Sequence, residues 1–186
     1  MINTILFDLD GTLLPMNTEL FLNSYFKALS SKCAHLIEPK ELSTMVLAST
    51  ECMIRNIDIT KTNEQIFMED FSTRINIDLN NLLPVFDDFY KNDFKHLQST
   101  VQPTAVIKDV IEILKEKGYT MVVATNPLFP REAILQRIQW SGLQESDFAL
   151  ITDYQCMHFC KPNLQYYEEI LKLIDKTPGE CMMVGN

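Results

Sequence analysis

The segment Phe7-Asp8-Leu9-Asp10-Gly11-Thr12 places two carboxylates two residues apart, where the apolar run Thr4–Phe7 ends. Two acids that close repel each other and resist burial, so an apolar strand rarely carries them without something positive nearby. Side chains at i and i+2 of a strand project to the same side, so Asp8 and Asp10 can converge on one point. Gly11 lets the chain turn at positive φ. The Thr12 hydroxyl can brace that turn or bond a carboxylate. A divalent cation, Mg²⁺ before others, would relieve the repulsion, because hard cations take oxygen ligands. The bland alternative is a pair of acids capping a solvent-exposed strand end.

Three more apolar runs end in polar groups. Residues 120–124 (TMVVA) precede Thr125 and Asn126, residues 148–151 (FALI) precede Thr152 and Asp153, and Cys181–Val184 precedes Gly185 and Asn186. None of the runs alternates cleanly, which suits buried strands of a parallel sheet covered on both faces. Ligands of an open parallel sheet bind beyond the carboxyl ends of its strands. Four strands would thus deliver acids, hydroxyls and amides to one edge.

Helical patterns separate the later runs. Ile107, Val110, Ile111 and Leu114 share one face, and Gly118 is placed to stop that helix. Residues 127–140 carry Ile134, Leu135 and Ile138 on a face. Leu164, Tyr167, Leu171 and Ile174 do the same after Pro162, a helix-starting residue. Alternating strands and helices predict an α/β fold, a doubly wound, mostly parallel Rossmann-like sheet. Between Pro15 and about Gln102 no strand is convincing. Four helical patterns lie there: one from Asn17 or Thr18 through Leu20, Tyr25, Phe26 and Leu29, one after Pro39, one after Thr62, and one carrying Leu82, Phe86, Phe89, Tyr90, Phe94 and Leu97. Thr62 and Gln65 can form a capping box. The expected organisation is an α/β core of residues 1–15 and 103–186 with an all-helical insert of residues 16–102, whose aromatic side chains form its core.

The 186 residues, 46% of them hydrophobic, suffice for one core and a small satellite. The formal net charge of −9 comes without a basic stripe, which argues against a nucleic-acid partner. No run reads as a membrane span or signal peptide, so a cytoplasmic protein is expected. The five cysteines are scattered and odd in number, as reduced thiols.

With these motifs in order, the chain resembles the haloacid dehalogenase superfamily, in its phosphatase branch. The resemblance rests on "DLDGT" (Asp8 to Thr12), "MVVATN" with Thr125, "KPN" with Lys161, and "MMVG", which begins the fourth motif. It implies a phosphatase acting on a small phosphorylated metabolite. Asp8 would attack the phosphoryl group. Asp10 would protonate the leaving oxygen and then deprotonate water. Thr125 would bond a phosphoryl oxygen, and Lys161 would offset negative charge. Gly11, Thr12 and Asn126 would complete the substrate-binding loops. Mg²⁺ would be held by Asp8 and by the backbone carbonyl of Asp10. The insert after the first strand resembles the helical cap of many of these enzymes, with hinges at residues 14–17 and 99–104. The alternatives are a phosphomutase of the same superfamily and a non-catalytic binding protein on the same fold.

The resemblance breaks off at Asn186, where family members carry an acidic metal ligand at this position or just after it. The expectation is an incomplete chain with weakened Mg²⁺ binding. "CMHFC" (Cys156, His158, Cys160) offers three ligands at cramped spacing, one short of a structural zinc site. Arg131 is expected as a solvated helix residue, with an anionic substrate as its alternative partner, and Trp140 as core.

Overall fold

A computed structural model describes residues 1–185; Asn186, counted above among the strand-end groups, lies outside them. Strands β1 (Thr4–Phe7), β2 (Thr120–Val123), β3 (Leu150–Ile151) and β4 (Cys181–Val184) form one parallel sheet in the order β3-β2-β1-β4. Successive side chains enter opposite layers. Ile5, Phe7, Met121, Val123 and Ile151 join the larger core, while Leu6, Val122 and Ala124 pack with Met157, Phe159, Tyr166 and Ile170 on the other face. Both faces are apolar, which is why the runs do not alternate.

Two strands differ from expectation. β3 is cut to two residues because Phe148 donates back to the Glu145 carbonyl at 3.1 Å, closing a 3₁₀ turn where the strand was expected to start. Among the described residues β4 pairs with β1 alone, and its Met182 and Met183 are exposed.

Helices α5 (Ala105–Glu116), α6 (Arg131–Trp140) and α7 (Leu164–Leu173) alternate with these strands. Gly118 ends α5 at a φ of 76°, as its position predicted. Of the expected α5 face Ile111 is fully buried, but Val110 is exposed, so the helix packs along a narrow stripe. α6 starts only after Pro130, since the residue before a proline is held extended. The buried face of α7 is Tyr166 and Ile170, one residue off the expected stripe, with Leu164 exposed and Asn163 as the cap.

The segment between β1 and β2 carries α1 (Thr18–Cys33), α2 (Pro39–Ile54), α3 (Asn63–Arg74) and α4 (Leu79–Asp88). The Asn17 side chain caps α1 through the Leu20 N–H at 2.9 Å, and Pro39 sits in the first turn of α2. The Thr62–Gln65 capping box forms, with bonds of 2.9 and 3.3 Å. The fourth pattern is not one helix. α4 passes into a π-helical turn at Phe89–Asp93 and then a 3₁₀ stretch at Phe94–Thr100. Residues five apart diverge by about 140° in an α-helix. Widening one turn lets Phe89 and Phe94 both enter the same aromatic cluster, where each is fully buried. Trp140 stacks on Phe94 there, with ring centroids 5.4 Å apart.

Backbone contacts also join this helical segment to the rest of the fold. Its connections run side by side: Met16 bridges Val101 and the Gln102 N–H donates to the Pro15 carbonyl at 2.9 Å. At the far side, the N–H groups of Asn63 and Glu64 donate to the carbonyls of Met157 and Tyr154, each at 2.8 Å. The buried Asn63 side chain also donates to the Phe159 carbonyl at 3.3 Å.

Candidate active site

The strand order reverses between β1 and β4, which makes their carboxyl ends the expected binding crevice. Asp8 is the first residue past β1, and its N–H donates to the Val184 carbonyl of β4 at 2.8 Å. Lys161, from the loop between β3 and α7, places Nζ 2.7 Å from Asp8 Oδ1. Both side chains keep some water contact, 19% exposed for the lysine and 16% for the acid. Asn126 sets that lysine in place, because its Oδ1 accepts the Lys161 N–H at 3.0 Å. Gly185 closes in on the same point: a Cβ there would lie 3.0 Å from the Asp8 Cβ.

The chain beyond Asp8 folds into a tight turn. Gly11 takes a φ of 80°, its N–H meets the Leu14 carbonyl at 2.9 Å, and the Leu14 N–H meets the Leu9 carbonyl at 2.8 Å. Thr12 braces the turn through its N–H to the Leu9 carbonyl at 3.2 Å. Leu9, Leu13 and Leu14 are buried and anchor the turn in the core. The Asp10 carboxylate meets the guanidinium of Arg137, through Nη1 to Oδ2. Its Oδ1 is buried with no partner among the described residues. Each acid of the opening motif therefore has its own cation, Lys161 for Asp8 and Arg137 for Asp10.

Arg137 went unrecognised in the sequence. Its signal was a charge on an apolar helix face, four residues after Ala133, three after Ile134 and next to Ile138, all buried. A charge on such a face is expensive unless paired, so it points to a buried partner.

β2 ends level with β1, Phe7 beside Val123, and Thr125 leaves the sheet at the same edge as Asp8. Thr125 is buried, and its carbonyl accepts the Tyr166 hydroxyl at 2.6 Å and the Thr152 hydroxyl at 2.8 Å. Thr152 and Asp153, expected to bring chemistry to the edge, hold loops. Asp153 Oδ1 accepts the N–H groups of Gln155 and Cys156 at 2.9 and 3.0 Å. Its Oδ2 pairs with Arg131 Nη1 at 3.0 Å. Arg131 is half-exposed and engages Glu145 as well, so two carboxylates already take its charge. In the CMHFC segment His158 Nδ1 faces Glu169 Oε1 at 2.6 Å, Cys160 is buried and Cys156 is exposed.

A cavity of about 850 Å³ lies between the helical segment and the loops after β2 and β3. Tyr25, Phe26, Phe86, Tyr90 and Phe129 give it aromatic walls, and none of Asp8, Asp10, Thr125 or Lys161 lines it. At its rim burial raises the Glu64 carboxyl above its ordinary value, and burial raises the Tyr154 phenol as well.

The donors at the sheet edge are oxygens, Asp8 with its carboxylate and Asp10 with its backbone carbonyl, which fits a hard cation. Among the described residues no group of three His, Cys, Asp or Glu side chains gathers as a metal cluster. Likewise, no described helix is long and apolar enough to cross a membrane.

The family model for haloacid dehalogenase-like hydrolases matches residues 5–186. Among curated proteins, the pyrophosphatase PpaX of Bacillus cereus (strain B4264) is 25% identical over 185 residues, covering all of this chain and 74% of that protein. Among solved structures, the HAD phosphatase from Thermococcus onnurineus superposes with a TM-score of 0.56 at 18% identity, over 100% of this chain and 77% of that one. CbbY from Rhodobacter sphaeroides, solved in complex with xylulose-(1,5)bisphosphate, gives 0.54 at 19% identity, over 98% and 77%. These two likenesses carry the fold; the family match carries the descent. The chain belongs to the haloacid dehalogenase-like hydrolases.

Proposed function

We propose that this hydrolase is a Mg²⁺-dependent phosphatase of small phosphorylated metabolites, working through an aspartyl-phosphate on Asp8. The observation that carries the reading is the Lys161 ammonium 2.7 Å from Asp8 Oδ1 at the switch point of the sheet. An oxygen of Asp8 attacks phosphorus, and the bond from phosphorus to the leaving oxygen breaks. Asp10 gives its proton to that oxygen. In the second half Asp10 takes a proton from water, the water oxygen bonds phosphorus, and the bond to Asp8 breaks to release phosphate. Lys161 stays beside the growing negative charge, and Thr125 stands at the same edge for a phosphoryl oxygen. Mg²⁺, held by the Asp8 carboxylate and the Asp10 carbonyl, would neutralise phosphoryl charge. A relative named pyrophosphatase and a structural neighbour solved with a bisphosphate support a small phosphorylated substrate.

Residues 16–102 act in this reading as a cap that covers the site and excludes water. The paired connections at Met16 and Val101 support a hinge there, and the aromatic cavity supports room for the part of a substrate beyond its phosphate. Five free cysteines suit a reducing, cytoplasmic setting.

The test is phosphate release from an aryl phosphate, pyrophosphate, sugar phosphates and nucleotides, with and without chelator. Chelation is expected to lower release by about 100-fold or more, and added Mg²⁺ to restore it. Release that ignores the chelator would sink the metal assignment. Gly185→Ala probes the packing behind Asp8: overpacking of this kind costs about 1–3 kcal/mol, and a shift of a few tenths of an ångström at the nucleophile should lower kcat about tenfold. Thermal unfolding and kcat on one preparation would check it, and an unchanged kcat would show that Asp8 tolerates the extra methyl group.

A further inference from the structure

We infer that Arg137 is the positioning residue for Asp10 and couples that acid to the helical insert through Phe129 and Phe21. The inference rests on the proton-transfer role given to Asp10 above. The Arg137 guanidinium is fully buried. Nη1 meets Asp10 Oδ2, and Nε donates to the Ala133 carbonyl of its own helix at 3.3 Å. Nη2 is buried with no partner among the described residues, and so is Asp10 Oδ1. A two-pronged fork, the frequent geometry for arginine and a carboxylate, would have satisfied both groups. The one-pronged contact fixes the carboxyl by Oδ2 and leaves Oδ1 without a protein partner among the described residues.

The plane of the guanidinium is set from outside the pair. Its carbon lies 4.5 Å from the Phe129 ring centre and 5.8 Å from that of Phe21. A flat cation on an aromatic face is oriented as well as attracted, which a lysine does not reproduce. Phe129 belongs to the loop after Thr125 and Asn126 and lines the aromatic cavity. Phe21 belongs to α1, the first helix of the insert. Asp10 is thus held by a residue whose support comes partly from the insert, so the placement of α1 sets the placement of the acid.

The test compares 4-nitrophenyl phosphate, whose leaving group needs little protonation, with glycerol 2-phosphate, whose alkoxide needs it. Arg137→Lys is expected to lower kcat about 100-fold on the alkyl ester and less than about fivefold on the aryl ester, with KM within about twofold. Asp10→Asn should give the same split. Adding Arg137→Lys to Asp10→Asn should lower the alkyl rate by less than about twofold more, since the coupling is already lost. Equal losses on both esters, or a further loss of about tenfold in the Asp10→Asn background, overturn the inference. If Arg137→Lys fails to fold, Phe129→Leu keeps the ion pair and removes the ring beneath it. That variant should lower the alkyl rate alone, about three- to tenfold, and a uniform loss again overturns the inference. Turnover of neither ester, with no phosphate release from the wider panel above, defeats the phosphatase reading itself; turnover with a uniform loss defeats only the role of Arg137.

Discussion

Asp8→Asn should lower phosphate release by at least about 10⁴-fold and leave the fold intact. The carboxamide keeps the shape of the acid and an oxygen for Lys161, which now sits 2.7 Å away. The backbone bond from residue 8 to the Val184 carbonyl does not involve the side chain. What disappears is the anionic oxygen that the proposed mechanism directs at phosphorus, and a neutral amide is a poor substitute. Phosphate release and thermal unfolding on the same sample separate the two effects. Acid-quenched wild-type protein should carry a phosphoryl group by intact mass, and the variant none. A variant that retains a tenth of the wild-type rate or more would remove Asp8 from the role of nucleophile.

Lys161→Met is the second large effect, an expected loss of about 10²–10³-fold in kcat. The ammonium is the one cation in direct contact with Asp8 among the described residues. Without it the carboxylate and an incoming phosphate face each other with less positive charge between them. The loss should be larger in kcat than in KM, because the negative charge is most concentrated as the bond changes. The effect on stability is smaller, about 1 kcal/mol, since both side chains keep contact with water. Lys161→Arg keeps the charge but not the single-point geometry, and it should recover only part of the rate. Equal kinetics for wild type and Lys161→Met would show that the contact with Asp8 has no part in catalysis.

The strand ends were legible because a buried run followed by a polar residue is a local pattern. Asp8 and Thr125 fall at one edge for that reason, and β1 and β4 have the bounds that their runs suggested, whereas Lys161 lies well past β3 and was marked only by its KPN motif. Partners were not legible, because pairing joins residues far apart in the chain. Thr152 and Asp153 have the same local pattern as Thr125 and Asn126, yet their side chains hold neighbouring loops. Arg137 sits 127 residues from Asp10, and its helix gave only the oddity of a charge among Ala133, Ile134 and Ile138. The exposure of Met182 and Met183 depends on which strands flank β4, a property of the whole sheet. The break of the fourth insert pattern at Phe89 reflects the needs of the aromatic cluster, which a helical period does not encode.

The side-by-side connections at Met16 and Val101 have a consequence for how such a protein can diverge. A segment that leaves and returns through one doorway is, to the rest of the fold, a single excursion. Closing a flexible excursion becomes only slowly harder as it lengthens, by about 0.6 kcal/mol per doubling. Helices can be added, trimmed or exchanged there while β1 and β2 stay in register. The groups at the sheet edge then stay constant while the excursion is redrawn, and the internal ties that such a redrawing must respect include the contact of Phe21 with Arg137, the stack of Phe94 on Trp140 and the bonds of Asn63 and Glu64 to the loop after β3.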